Sequence, residues 1–178
     1  MKVIKHRFLD HKINPETEIL ILGTFNPDTE KNEADFFYGR SHNYLWRLLP
    51  VAFNKPDLKK ASKQEKISFI EQMKIDFVDL IEEIQVKEGD EANYDDAFID
   101  NKVIKWQNII TKIEQLNNLK KILLTRKTDS DIPNMRKQIK IIKDYCNEHN
   151  IKFDVLPTPA RFYNKKKQEN WTDILTND

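Results

Sequence analysis

Two short runs constrain this chain more than anything else in it. Glu18–Thr24 (EILILGT) and Lys120–Thr125 (KKILLT) carry consecutive Ile and Leu residues with no polar residue among them. A strand that is apolar on both faces needs cover on both faces, and sheets covered that way are parallel, with helical crossovers between strands. Ile75–Ile81 (IDFVDLI) and Ile151–Pro157 (IKFDVLP) fit the same role, although the former could equally continue the helix before it. Helical patterns fill the gaps. Ser62–Met73 opens with a Ser62-x-x-Glu65 capping box, and Trp106–Leu116 repeats apolar residues at helical spacing. Asp131–Asn150 has Pro133 in its first turn and sets Ile139, Ile142 and Cys146 on one face, and Lys165–Leu175 forms a last helix. The acidic Lys87–Asp96 reads as a surface loop. Strands alternating with helices predict an α/β fold: a three-layer α/β/α sandwich around a central four-stranded, mostly parallel sheet. At 178 residues the whole chain, 1–178, is expected to form one domain.

Charged residues make up 33% of the chain, but the net charge is only +1, so any anion-binding face must come from local clustering. The single cysteine, Cys146, excludes an internal disulfide and reads as a small core residue. His6, His11, His42 and His149 are too scattered to suggest a metal set, so no metal and no cofactor is expected. The N-terminus lacks an apolar signal core and no apolar run reaches membrane-spanning length; a cytoplasmic monomer with no membrane partner is expected.

Ligands of open parallel sheets bind at the carboxyl ends of the strands. The segments predicted there combine basic, amide, hydroxyl and aromatic residues: TFNPDTEKNEADFFYGRSHN after the first strand, TRKTDS after the third, TPARFYNKKK after the fourth. Asn26 reads as a turn residue, Trp46 as core, and Phe36–Tyr38 as either core or exposed rings. Asp28 and Glu30 could activate a water, but acids after Asn-Pro are also ordinary helix-start residues. Asn43 falls in the first turn of a helix beginning near Ser41, where its amide could face the cleft. Lys165–Lys167 begin a helix, where cations oppose the macrodipole unless an anion sits there. Together these loops suggest a phosphate-bearing ligand with a flat ring.

The stretch ILILGTFNPDTEKNEADFFYGRSHNYLW resembles the first motif of the uracil-DNA glycosylase superfamily, closest to its hypoxanthine-DNA glycosylase branch. The matching residues are Gly23, Thr24, Phe25, Pro27, Phe37, Tyr38, Gly39, Asn43 and Trp46. LPTPARFYNKKKQENWTDIL echoes the closing motif through Leu156, Pro157, Thr158, Pro159, Ala160 and Trp171. The resemblance implies hydrolysis of an N-glycosidic bond after the base is flipped from DNA. It assigns Asn43 as the functional amide, with Asn26 as a second candidate. Gly23, Phe25, Phe37 and Tyr38 would bind the base. Thr158 would grip phosphate, Arg161 or Phe162 would enter the gap left by the base, and Arg126, Lys127 and Lys165 would contact DNA. A monofunctional, metal-independent DNA glycosylase follows. The alternatives are a catalytically divergent nucleic-acid-binding module on the same fold and an enzyme acting on free nucleotides. The latter is disfavoured by the lack of a dinucleotide-binding or Walker-type glycine loop.

Overall fold

The structure is a computed structural model and describes residues 1–177. In chain order it runs β1 (Lys2–Lys5), β2 (Ile19–Gly23), α1 (Leu45–Ala52), α2 (Lys63–Met73), β3 (Ile75–Asp79) and β4 (Ile81–Val86). It continues with α3 (Asp96–Ile99), β5 (Val103–Trp106), α4 (Ile109–Ile113), β6 (Lys121–Leu124), α5 (Pro133–Glu148), β7 (Lys152–Val155) and α6 (Lys165–Thr176).

The four apolar runs form one all-parallel sheet in the order β3-β2-β6-β7. Its register brings the strands out together: Gly23 lies opposite Asp79, Leu22 opposite Leu124, and Leu124 opposite Val155. The three loops after β2, β6 and β7 therefore start from one edge.

Alternation along β2 assigns the layers. Leu20 and Leu22 face a core with Val78, Ile122, Leu124, the α5 stripe of Met135, Ile139, Ile142 and Cys146, and Ile109 and Ile113 of α4. Ile21 faces the opposite core, with Phe77, Leu123, Trp46 and Leu49 of α1, Phe69 and Ile70 of α2, and Trp171 of α6. Helices on both faces of a parallel sheet make the chain a three-layer α/β/α sandwich. The α2 capping box forms as expected, Ser62 Oγ accepting from Glu65 N while Glu65 accepts from Ser62 N at 2.8 Å.

A second sheet, β1-β4-β5 and antiparallel, was not visible in the apolar runs. Only Leu80 separates β3 from β4, so one extended segment serves both sheets. The expected helix from Trp106 is shorter than its pattern. Trp106 belongs to β5, and Asn108 caps α4 by accepting from Thr111 N, so the helix spans only Ile109–Ile113. No helix among the described residues is long and apolar enough to cross a membrane.

Candidate functional site

Gly23 ends β2 among polar groups of its own chain. A Cβ there would stand 2.6 Å from the Tyr38 hydroxyl and closer still to Asp79 Oδ1. Glycine was expected to admit a ligand; here it makes room for a carboxylate and a phenol to converge. His6 holds the carboxylate. Its Nδ1 accepts from Phe8 N–H at 3.0 Å, so Nε2 carries the proton and donates to Asp79 Oδ2 at 2.7 Å. The Tyr38 hydroxyl is 3.2 Å from Thr125 Oγ1, which lies just past the end of β6. Burial, reinforced by the Asp79 charge, pushes the phenol well above its ordinary range and keeps it protonated. The signal in the sequence was Asp79 itself, a carboxylate in an apolar strand that required a buried partner.

The expected stacking rings are interior. Phe37 is 3% exposed, stacks on Phe77 at 5.6 Å and is ringed by Phe8, Phe36 and His11, while Trp46 Nε1 donates to its carbonyl. Phe25 is buried beside His6. In this conformation neither ring presents a face to a base, because each closes the core under its loop. Asn26 is also buried, its Oδ1 accepting from Asn32 Nδ2 at 2.6 Å. That pair pins the start of the loop.

Asn43 stands differently. It is half-buried and forms an antiparallel bridge with Ala160: Tyr44 N–H donates to Pro159 O at 2.8 Å and Arg161 N–H to His42 O at 2.9 Å. The bridge joins the loop after β2 to the turn after β7. Asn43 Oδ1 accepts from the N–H of Leu45, the first residue of α1, at 3.0 Å, an Asx turn that leads into the helix. With the oxygen taken by a backbone donor, the amide offers its N–H₂ group, which has no protein partner among the described residues. Beside it lies a cavity of about 230 Å³, lined by Tyr38, Arg40, Ser41, Asn43 and Lys59 among others. Lys59 Nζ donates to Ser41 O and Asn43 O at 2.6 and 2.7 Å and fixes the loop from below.

The turn after β7 is held by a residue the sequence pattern misread. Of the three lysines opening α6, Lys167 is buried and donates to Ala160 O and Phe162 O at 3.2 and 2.7 Å. Burial, then the Arg161 charge, lowers its pKa. One of the three cations at this helix start therefore answers to carbonyls, while Lys165 stays exposed near Glu169. Lys167 props Arg161, left-handed at φ 77°, and Phe162, 54% exposed, at the tip of the turn. Thr158 is exposed and its Oγ1 accepts from Ala160 N–H.

Arg126 is committed elsewhere. It donates to Asp96 Oδ2 at 2.7 Å, to both Asp131 oxygens and to Thr128 O, and Asp96 in turn accepts from Thr24 Oγ1. The guanidinium thus ties the loop after β6 to the start of α3 and, through Asp96, to Thr24, where a phosphate contact was expected of it. Burial raises the Asp96 pKa against the pull of Thr24 and Arg126. Lys127, next to it, is exposed. No group of three or more His, Cys, Asp or Glu side chains among the described residues could hold a metal ion.

No protein-family model and no curated protein matches the chain. Among solved structures it is similar to the solution NMR structure of a Methanosarcina acetivorans protein provisionally described as a uracil DNA glycosylase. The two share 18% identity, each chain is covered to 91%, and the TM-score is 0.63. At that identity the likeness is one of fold.

Proposed function

We propose that the chain is a monofunctional DNA glycosylase that hydrolyses the N-glycosidic bond of a deaminated or damaged base flipped out of DNA. One observation carries the reading: the main-chain bridge between Asn43 and Ala160, which sets an available amide N–H₂ beside an exposed turn tipped by Phe162. The fold shared with the Methanosarcina acetivorans protein agrees with it.

In this reading Phe162 or Arg161 enters the stack as the base leaves it, which offsets the few kcal/mol of unstacking. The base departs with developing negative charge. Asn43 Nδ2 donates to that charge, a task for which a pre-oriented donor serves without any strong base. Lys59 and Lys167, whose pKa values burial lowers, both spend their ammonium groups on backbone carbonyls. That supports simple hydrolysis over amine attack on the sugar.

Asn43→Asp tests the assignment more cleanly than alanine. An aspartate keeps the oxygen that accepts from Leu45 N–H but replaces the donor with an acceptor. Excision from uracil- or hypoxanthine-containing oligonucleotides should fall about 100- to 1,000-fold, the usual effect of one lost transition-state donor, with the unfolding midpoint nearly unchanged. A wild-type protein inert on a panel of damaged single- and double-stranded substrates would refute the reading.

The enclosed Phe37 and the Tyr38 hydroxyl packed over Gly23 favour a second reading, a nucleic-acid-binding module without catalysis. It requires salt-dependent binding with no product formed.

A further inference from the structure

We infer that the cavity between the Gly39–Asn43 loop and Lys59–Lys60 is a phosphate site, distinct from the turn after β7. Three cations, Arg40, Lys59 and Lys60, line it, and among the described residues no carboxylate does. That is unusual in a chain with 30 basic and 29 acidic residues, where many lysines and arginines lie against an acid.

None of the three is neutralised. Arg40 lies over the Tyr94 ring at 4.5 Å, a contact that orients the guanidinium and leaves its charge in place. Lys59 contacts two carbonyls and the Tyr44 ring. The acid that acts on Lys59 is Asp57, which is itself 3.5 Å from Arg47. Lys60 has no hydrogen bond or ion pair among the described residues. Nor do the backbone N–H groups of Arg40 and Ser41 find a protein acceptor among the described residues. Fixed positive charge, unclaimed main-chain donors and a concave wall together suit a tetrahedral oxyanion. Burial also lowers the Lys59 pKa, a penalty that a bound anion would relieve. Asn43 and Tyr38 share this wall, so the phosphate would lie next to the amide.

A nucleic-acid strand or a free phosphate compound could supply the group, and two measurements separate them. The first titrates inorganic phosphate into the protein at constant ionic strength, following backbone amide shifts. Saturable shifts at residues 39–43 and 59–60, absent with chloride, are expected; shifts confined to other residues overturn the inference. The second measures binding of an abasic-site duplex against salt for wild type, Arg40→Gln and Lys60→Gln. If the group belongs to the strand, each variant should lower the slope of log affinity against log salt by about 0.9. Unchanged slopes with phosphate shifts intact assign the site to a free phosphate compound; unchanged slopes without them overturn it. Only the duplex arm rests on the glycosylase reading. A protein that binds phosphate here yet excises nothing sinks that reading alone, and one that excises bases with this cavity indifferent to phosphate sinks this inference alone.

Discussion

Replacing Gly23 with alanine tests the arrangement at the strand ends. The added Cβ would meet two interior atoms, Asp79 Oδ1 and the Tyr38 hydroxyl, the latter at 2.6 Å. Neither can easily withdraw: Asp79 is tied to His6 at 2.7 Å and the Tyr38 ring packs near Phe77. Overpacking a well-filled interior costs about 1–3 kcal/mol. Displacing Asp79 also weakens a charge-assisted bond worth about 1.5–3 kcal/mol. The expected loss is therefore about 2–5 kcal/mol, a large share of the roughly 5–15 kcal/mol that holds a domain together. Urea unfolding should show a lower midpoint at an unchanged slope. The double variant Gly23→Ala/Asp79→Ala gives the sharper reading. Asp79→Ala alone leaves the His6 Nε2–H group without its acceptor and costs about 1–3 kcal/mol, but it also removes the atom that alanine at 23 would strike. The two losses should fall short of additivity by at least about 1 kcal/mol. Strict additivity, or a Gly23→Ala change within about 0.5 kcal/mol of wild type, would refute the account of this glycine.

Three further outcomes are expected. Glu18 accepts from both Lys74 and Lys120, and those bonds hold its carboxyl at about 2, well below its ordinary 4.5. Its contribution to stability is complete above the ordinary value and disappears as pH falls through about 2, so Glu18→Gln should flatten the acid limb of the stability profile in that window. Phe162→Ala should leave the unfolding midpoint within about 0.5 kcal/mol of wild type while weakening binding to DNA that carries an abasic site; equal affinity would remove Phe162 from the interface. Arg126→Gln should do the reverse. It leaves Asp96 short of a partner and costs about 1–3 kcal/mol, but the salt dependence of DNA binding should not change.

The parallel sheet was legible because unbroken Ile and Leu runs leave few alternatives: Leu20, Ile21 and Leu22 are fully buried across two faces, as such a run demands. The second sheet was not. β4 is six residues long and merges with β3 through Leu80, and β1 offers four residues of which only Ile4 is buried. Short strands whose partners lie far away leave little local pattern. At the site, spacing indicated the adjacency of the two loops but not which side chains remain available. Arg126, in a loop, and Lys167, at a helix start, both read as cations open to a phosphate. The structure separates them from Arg40 and Lys60 by what each touches, Asp96 and Asp131 for one and two carbonyls for the other. Phe37 could have been either core or stacking surface; five aromatic or imidazole neighbours, Phe77 among them, decided it.

The joint between Asn43 and Ala160 is made by two peptide groups on each side and by no side chain. It is therefore indifferent to most of what is written at positions 158–162. Thr158, Arg161 and Phe162 can be exchanged for other residues, and whatever they touch can change with them, while the amide at 43 stays where it is. The freedom has one boundary. Residue 161 must keep its N–H and a left-handed backbone, which glycine or asparagine would accept and proline would not. A library varied at positions 158, 161 and 162 would sample new ligands on a fixed frame and meet its backbone limit at 161.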